Sequence, residues 1–173
     1  MFALPNTQHS QVAYVTNNLD AAAALLEKQY GVPGFYKFDT TGVAQPGDPQ
    51  LRIGLARVGG VEIELIEPQG SASNLFSDAL PPSGAALSIR FHHVAIRIDG
   101  ALENWQRHRA AIDTASHAIV YQGALGEMLR YFYTDERPTL GHYVEHVWMS
   151  PDLLAQLAAA IPTYPPQGPQ PQR

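Results

Sequence analysis

Two histidines and two glutamates recur in this 173-residue chain at nearly matched spacing. His9 stands 55 residues before Glu64 (64 − 9), and His93 stands 52 before Glu145 (145 − 93). Each pair joins a His at the head of an alternating apolar run to a Glu fourth in another: "HSQVAYV" and "VEIELIE" in the first half, "HVAIRID" and "HYVEHVW" in the second. The chain has no cysteine, so any metal must be held by imidazole and carboxylate. Two neutral imidazoles and two carboxylates form a borderline-hard donor set, suited to one divalent Zn, Ni, Co, Mn or Fe ion per chain. In octahedral coordination two positions stay open for adjacent substrate oxygens. An ion so placed is a Lewis acid, which stabilises the enolate or enediolate formed when a proton leaves the carbon beside a carbonyl.

The elements that must position these residues also repeat. "QVAYVT" reads as a strand, and "NNLDAAAALLEKQYG" as a helix with an Asn cap and Gly31 as its stop. "FYKFDT", "LRIGLARV" and "VEIELIE" follow as three strands, the last two joined by a tight turn at Gly59 and Gly60. After a Ser/Pro/Gly-rich stretch with one short helical turn in "NLFSDAL", the order returns. It runs strand "FHHVAIRI", helix "ALENWQRHRAAI" capped by Asp99, and strands near "HAIVYQ", "MLRYFYT" and "HYVEHVWM". The expected organisation is a first βαβββ module at 8–68, a linker at 69–89 and a second module at 90–149. A helix at 150–161 with Ser150 as cap and Pro151 in its first turn, then a disordered Pro/Gln-rich tail at 162–173, complete it. The fold class is α+β, with two repeats forming curved, mostly antiparallel sheets around a cleft.

Strand alternation puts His9, Gln11 and Ala13 on one face, and His93, Ala95 and Arg97 on the corresponding face of the second half. His92 falls on the opposite face, as a partner for backbone or water. Gln11 and Arg97 are candidate substrate contacts. His108, His117 and His142 read as surface residues and His146 as packing. Trp105, Tyr131, Tyr133 and Trp148 read as core or dimer surface.

A formal net charge of −5 gives no basic footprint for nucleic acid. No uncharged apolar run is long enough to span a bilayer, and "MFALPNTQHS" is not a secretory signal. The expected setting is cytoplasmic, with a small-molecule substrate as the principal partner. The aromatic-rich "YFY" and "HVWM" strands suggest a homodimer.

Residues 8 to 149, above all "IELIEP" and "HHVAIRID", resemble the vicinal oxygen chelate superfamily, which includes glyoxalase I, methylmalonyl-CoA epimerase, extradiol dioxygenases and bleomycin- and fosfomycin-resistance proteins. The resemblance implies paired βαβββ units enclosing a divalent metal, with His9, Glu64, His93 and Glu145 at the four ligand positions. It implies Glu145 as the catalytic base, with Glu64 as its symmetric counterpart, in a metal-dependent lyase or isomerase of the glyoxalase/epimerase type. An Fe(II) extradiol-type dioxygenase using His9, His93 and Glu145 is a second expectation, and a non-catalytic binding protein of the resistance type a third. In place of the short "DPDG" turn of such families stands the longer "DERPTLG", which reshapes the cleft mouth. Asp39 is the nearest match to the second acidic residue of the epimerases.

Overall fold

The computed structural model describes residues 4–42, 48–70, 72–82 and 86–166. The first half runs β1 (Thr7–Thr16), α1 (Leu19–Tyr30), β2 (Tyr36–Asp39), β3 (Leu51–Val58) and β4 (Val61–Pro68). The second runs β5 (Ile89–Ile98), α2 (Leu102–Ala110), β6 (Ile119–Leu125), β7 (Leu129–Asp135), a one-turn α3 (Arg137–Leu140) and β8 (Tyr143–Met149). A C-terminal helix α4 (Pro151–Ala160) and a two-residue strand β9 (Thr163–Tyr164) follow. The expected α+β class and the βαβββ repeat are both present.

Local chemistry explains the boundaries. Asn18 caps α1 by accepting the Ala21 N–H at 3.0 Å, and Gly31 ends it in the left-handed conformation, φ 70°. Ser150 caps α4 through the Leu153 N–H at 3.2 Å, with Pro151 in the first turn. Gly59 and Gly60 both take positive φ, which the tight β3–β4 hairpin requires. Two expectations are corrected. Helix α2 is capped at Ala101 without a side-chain bond, because the Asp99 carbonyl accepts from the Asn104 side chain and its carboxylate holds Arg97. The tail is ordered at its start: Arg57 donates to the Pro162 carbonyl and β9 pairs with β3. Residues 167–173 lie outside the described residues.

All strands join in one sheet, in the order β2-β3-β4-β1-β5-β8-β7-β6, with β9 added beside β3. Within each half the first and last strands pair in parallel, β1 with β4 and β5 with β8; the β1–β5 seam between halves is antiparallel. The curled sheet keeps helices outside. Leu19, Ala22 and Ala23 of α1 pack with Leu65, while Trp105 of α2 packs with Ile98, Phe132 and Trp148. The inner side carries Val15, Leu51, Ile66, Phe76, Tyr133 and Tyr143. Burying these side chains is the dominant favourable contribution to folding, about 1.5–3 kcal/mol for each large one. No helix among the described residues is long and apolar enough to cross a membrane.

Candidate active site

At the centre of the seam Val12 faces Val94, and the two halves are related about that pair. Advancing 82 positions carries Gln11 onto His93 and Ala13 onto Ala95 (93 − 11, 95 − 13). The sheet partner of Ala13 on β4 is Glu64, and the partner of Ala95 on β8 is Glu145. Ala13 thus separates Glu64 from His93, and Ala95 separates Gln11 from Glu145. Both alanines are fully buried, so the floor is low and the larger polar side chains beside them share the space above.

His93 Nε2 lies 3.5 Å from a Glu64 oxygen and 3.6 Å from a Glu145 oxygen. These separations are too long for hydrogen bonds, and Nε2 is fully buried with no hydrogen-bond partner among the described residues. The other ring nitrogen explains its state. His93 Nδ1 is 2.8 Å from His92 Nδ1, and His92 Nε2 is 3.1 Å from the Leu75 carbonyl. A carbonyl only accepts, so His92 Nε2 carries the proton. Burial and the neighbouring His93 hold the His92 pKa down to about 3, so the ring is neutral and its Nδ1 accepts. His93 Nδ1 must then donate, so that a neutral His93 presents its Nε2 lone pair to the two carboxylates.

That exchange between neighbours depends on a bulge. Ala13 pairs with His93 and Tyr14 with Phe91, so His92 is skipped and strand alternation breaks there. His92 therefore lies on the inner side with His93, Phe76 and Tyr133, not on the opposite face as alternation implied. It does bond backbone, as expected.

The equivalent irregularity in β1 falls at Ser10, between His9 and Gln11. It separates His9 from the frame of Gln11. His9 is exposed and lines a smaller cleft of about 90 Å³ with Arg57 and Arg97, rather than the main cavity. Of the four expected ligands Glu64, His93 and Glu145 converge, and Gln11 stands beside them where His9 was expected. The dioxygenase set His9, His93 and Glu145 is not brought together. Of the two expected substrate contacts, Gln11 lines the main cavity, whereas Arg97 is held by Asp99 at 2.7 Å in the smaller cleft. Asp39 is on the exposed strand β2.

The main cavity, about 350 Å³, opens above Glu64 and Glu145. Burial, then the Glu145 charge, then that of Glu62 push the Glu64 pKa well above the ordinary carboxylate range. Glu145 is held differently: the Tyr133 hydroxyl donates to its Oε1 at 3.1 Å. Burial first, then the two glutamates, raise the Tyr133 pKa well above its usual value, so the phenol remains a donor. Glu62 lies next to the pair, raised by burial but anchored to Arg57 at 3.0 Å.

Whether the donors suit a divalent ion can be judged from these distances. Two donors each about 2.1 Å from one ion lie about 3 Å apart at a right angle and about 3.5 Å apart at a tetrahedral angle. The His93–glutamate separations match the wider value. Among the described residues no group of three or more His, Cys, Asp or Glu side chains is placed so that it could hold a metal ion as it stands. The chemistry of the set nevertheless fits: a buried imidazole lone pair faces two acidic groups, one strained towards protonation, and a cation satisfies all three at once.

The sequence profile of the glyoxalase/bleomycin resistance protein/dioxygenase superfamily matches residues 10–130. The chain belongs to this superfamily. Its fold is similar to methylmalonyl-CoA epimerase from Mycobacterium tuberculosis, with TM-score 0.60, 16% identity, and coverage of 90% of this chain and 97% of the other. A Streptomyces coelicolor methylmalonyl-CoA epimerase in complex with 2-nitronate-propionyl-CoA matches with TM-score 0.56 and 17% identity, over 83% and 97% of the two chains. A hypothetical protein from Bacillus halodurans matches with TM-score 0.56 and 13% identity, over 83% and 95%. At such identities the likeness shows the shared fold. No curated protein matches the chain in sequence.

Several residues of this superfamily site were not read from the sequence. Tyr133, part of the buried core as expected, also lines the cavity, as does Tyr131 packed against that core, and Phe76 of the connecting stretch, 2% exposed, lines it as well. Gly123 makes room for Tyr131: a Cβ there would collide with the ring. His108 is buried, not at the surface, and bonds His146 at 2.8 Å behind the sheet. His117 pairs with Glu136 at 2.9 Å.

Proposed function

We propose that this protein is a metal-dependent isomerase or lyase of the glyoxalase/epimerase type, which removes a proton from the carbon beside a carbonyl of a small substrate. The observation that carries the reading is the unpartnered His93 Nε2 facing Glu64 and Glu145 at 3.5 and 3.6 Å. His93, Glu145 and Glu64 would hold the divalent ion, which when bound supplies Lewis acidity to the substrate oxygens.

The chain's own residues divide the remaining work. His92 fixes the tautomer of a neutral His93, so that its Nε2 lone pair is the one presented for ligation. Tyr133 pins Glu145 and restrains its rotation. Glu64 has no such hydroxyl donor among the described residues, so it is the freer carboxylate and the one assigned to accept the substrate proton. Gln11 supplies an amide N–H to the same cavity for a substrate oxygen. Phe76 and Leu55 keep the inner end apolar, which limits water at the carbon being deprotonated.

Elemental analysis of purified protein is expected to find about one divalent ion per chain. A screen of α-hydroxy ketones, hemithioacetals and acyl thioesters in deuterated water is expected to show exchange at the carbon beside the carbonyl. Glu64→Gln should abolish that exchange and retain the ion in part, because an amide ligates through oxygen but cannot take the proton. Near-zero metal content, together with no change in melting temperature on adding Zn, Ni, Co, Mn or Fe, would overturn the reading in favour of a binding protein.

A further inference from the structure

The smaller cleft and the main cavity share walls: Gln11, Glu62, Met149 and Leu157 line both. What the cleft adds is cationic, because Arg57, Arg97 and His9 also line it. Its place follows from the strands. Glu62 precedes Glu64 by two residues on β4, and Arg97 follows Ala95 by two on β5. Two residues of strand set the cleft about 7 Å along the sheet from the point where Glu64, His93 and Glu145 converge.

Both guanidiniums are held in place with donors to spare. Asp99 Oδ1 accepts from Arg97 Nε at 2.7 Å, while Asp99 Oδ2 accepts from the Gln8 amide at 2.7 Å, so the carboxylate is fixed from two sides and orients the arginine. Arg57 donates from one terminal nitrogen to Glu62 Oε2 at 3.0 Å. A guanidinium carries five N–H donors, and these bonds take one from each arginine. The terminal N–H groups of Arg97 form a fork that fits a carboxylate through two parallel bonds. Among the described residues the arginines and Glu62 bring two positive charges and one negative to the walls, so one negative charge from a ligand completes the balance. Asp99 stands outside the lining with its side chain 43% exposed, where solvent screens it. The volume, about 90 Å³, corresponds to about three water-sized groups, the three heavy atoms of a carboxylate.

We infer that this cleft is an anion subsite adjoining the active site, in which Arg97 and Arg57 take a single carboxylate at the end of the substrate remote from the reacting carbon. The substrate class is then a small carbonyl compound with a terminal carboxylate about five or six bonds from the carbon that is deprotonated. That spacing rests on the proton-abstraction reading; the subsite itself follows from the walls of the cleft.

Calorimetric binding to the protein as purified tests the inference, using 7-hydroxy-6-oxoheptanoate, its primary amide and 6-hydroxy-5-oxohexylphosphonate as probes. The carboxylate is expected to bind at least about tenfold more tightly than the amide, the usual gain of a charge-assisted over a neutral hydrogen bond. It should also bind more tightly than the phosphonate. Arg97→Gln should abolish the preference for the carboxylate while leaving affinity for the amide near that of the wild type, which a purely structural defect would not do. Arg97→Lys keeps the charge without the fork and should retain part of the preference, so it decides the matter if Arg97→Gln fails to fold. Equal affinities for carboxylate and amide in the wild-type protein overturn the inference, as do failure of all three probes to bind and an undiminished preference in Arg97→Gln. Tighter binding of the phosphonate overturns the assignment to a carboxylate. Deuterium exchange on the same probes separates the two readings: carboxylate-selective binding without exchange sustains the subsite and sinks proton abstraction, whereas exchange without carboxylate selectivity sinks the subsite alone.

Discussion

Gln11 and His9 are two residues apart on one strand, and simple alternation cannot distinguish them. The bulge at Ser10 does, and a matching bulge at His92 brings two histidines to the same side. The distinction was legible in part, since Gln11 and His93 are each followed by Val-Ala, "QVAYV" against "HVAIR"; counting from the more reactive residue type hid it. Glu64, His93 and Glu145 were readable because their chemistry and their frames agreed. The bulge was not, because nothing local to Ser10 or His92 signals an extra residue. On the proposed reading His93→Ala should lose the bound ion, whereas His9→Ala should retain it at wild-type stoichiometry. His92→Phe preserves the ring packing against Phe76 but removes the partner that orients His93. Metal affinity should then fall by about 10- to 100-fold, the usual loss when a ligand's hydrogen-bond partner is removed. Titration of the variants with Zn against a competing chelator measures both. An unchanged affinity in His92→Phe would show that the tautomer needs no relay.

At the scale of elements, the caps and stops of α1 and α4 were written in Asn18, Gly31, Ser150 and Pro151, and the helices begin and end there. The burial of His108 was not legible, because helix α2 is short and polar and its inward face is set by what lies beneath it. Beneath it His146 stacks on Phe132, with centroids 4.5 Å apart at 13°, and bonds His108. Burial, then His108, then His117 lower the His146 pKa to about 3, so the folded ring stays neutral where the unfolded one takes a proton. A depressed histidine pKa means full stability above the unfolded value near 6.5, and loss as pH falls from there towards the folded value. Between pH 6.5 and 5 this group alone should cost about 2 kcal/mol. His146→Asn, which keeps a polar partner for His108 but cannot titrate, should flatten that part of the profile. Urea midpoints of both proteins at pH 7 and pH 5 provide the check: parallel losses in the two would show that His146 is not responsible.

At the scale of the molecule, the sheet is continuous through a seam at which neither half carries a complete site. Glu64 belongs to the first repeat, while His93 and Glu145 belong to the second, so an ion held by all three bridges the halves across β1 and β5. The repeat made this architecture readable, whereas most of the cavity lining was not, since beyond Gln11, Glu64 and Glu145 it gathers side chains from β2 through α4 that share no sequence frame. Removing the ion should lower the melting temperature, because a ligand at about 100 times its dissociation constant contributes about 2.7 kcal/mol to the folded state. The size of that loss should depend on pH in a definite direction. Without the ion the buried Glu64 has a raised pKa, so the folded state holds a proton that the unfolded state has released. That proton stabilises the stripped protein at low pH, and the contribution is lost as pH rises through the folded pKa. With the ion bound, the carboxylates are already compensated and this dependence is suppressed. The melting-temperature gap between loaded and chelated protein should therefore widen from pH 5 to pH 8, and Glu64→Gln should make it nearly constant. A gap in the wild-type protein that stays the same across this range would mean that the ion does not sit against Glu64.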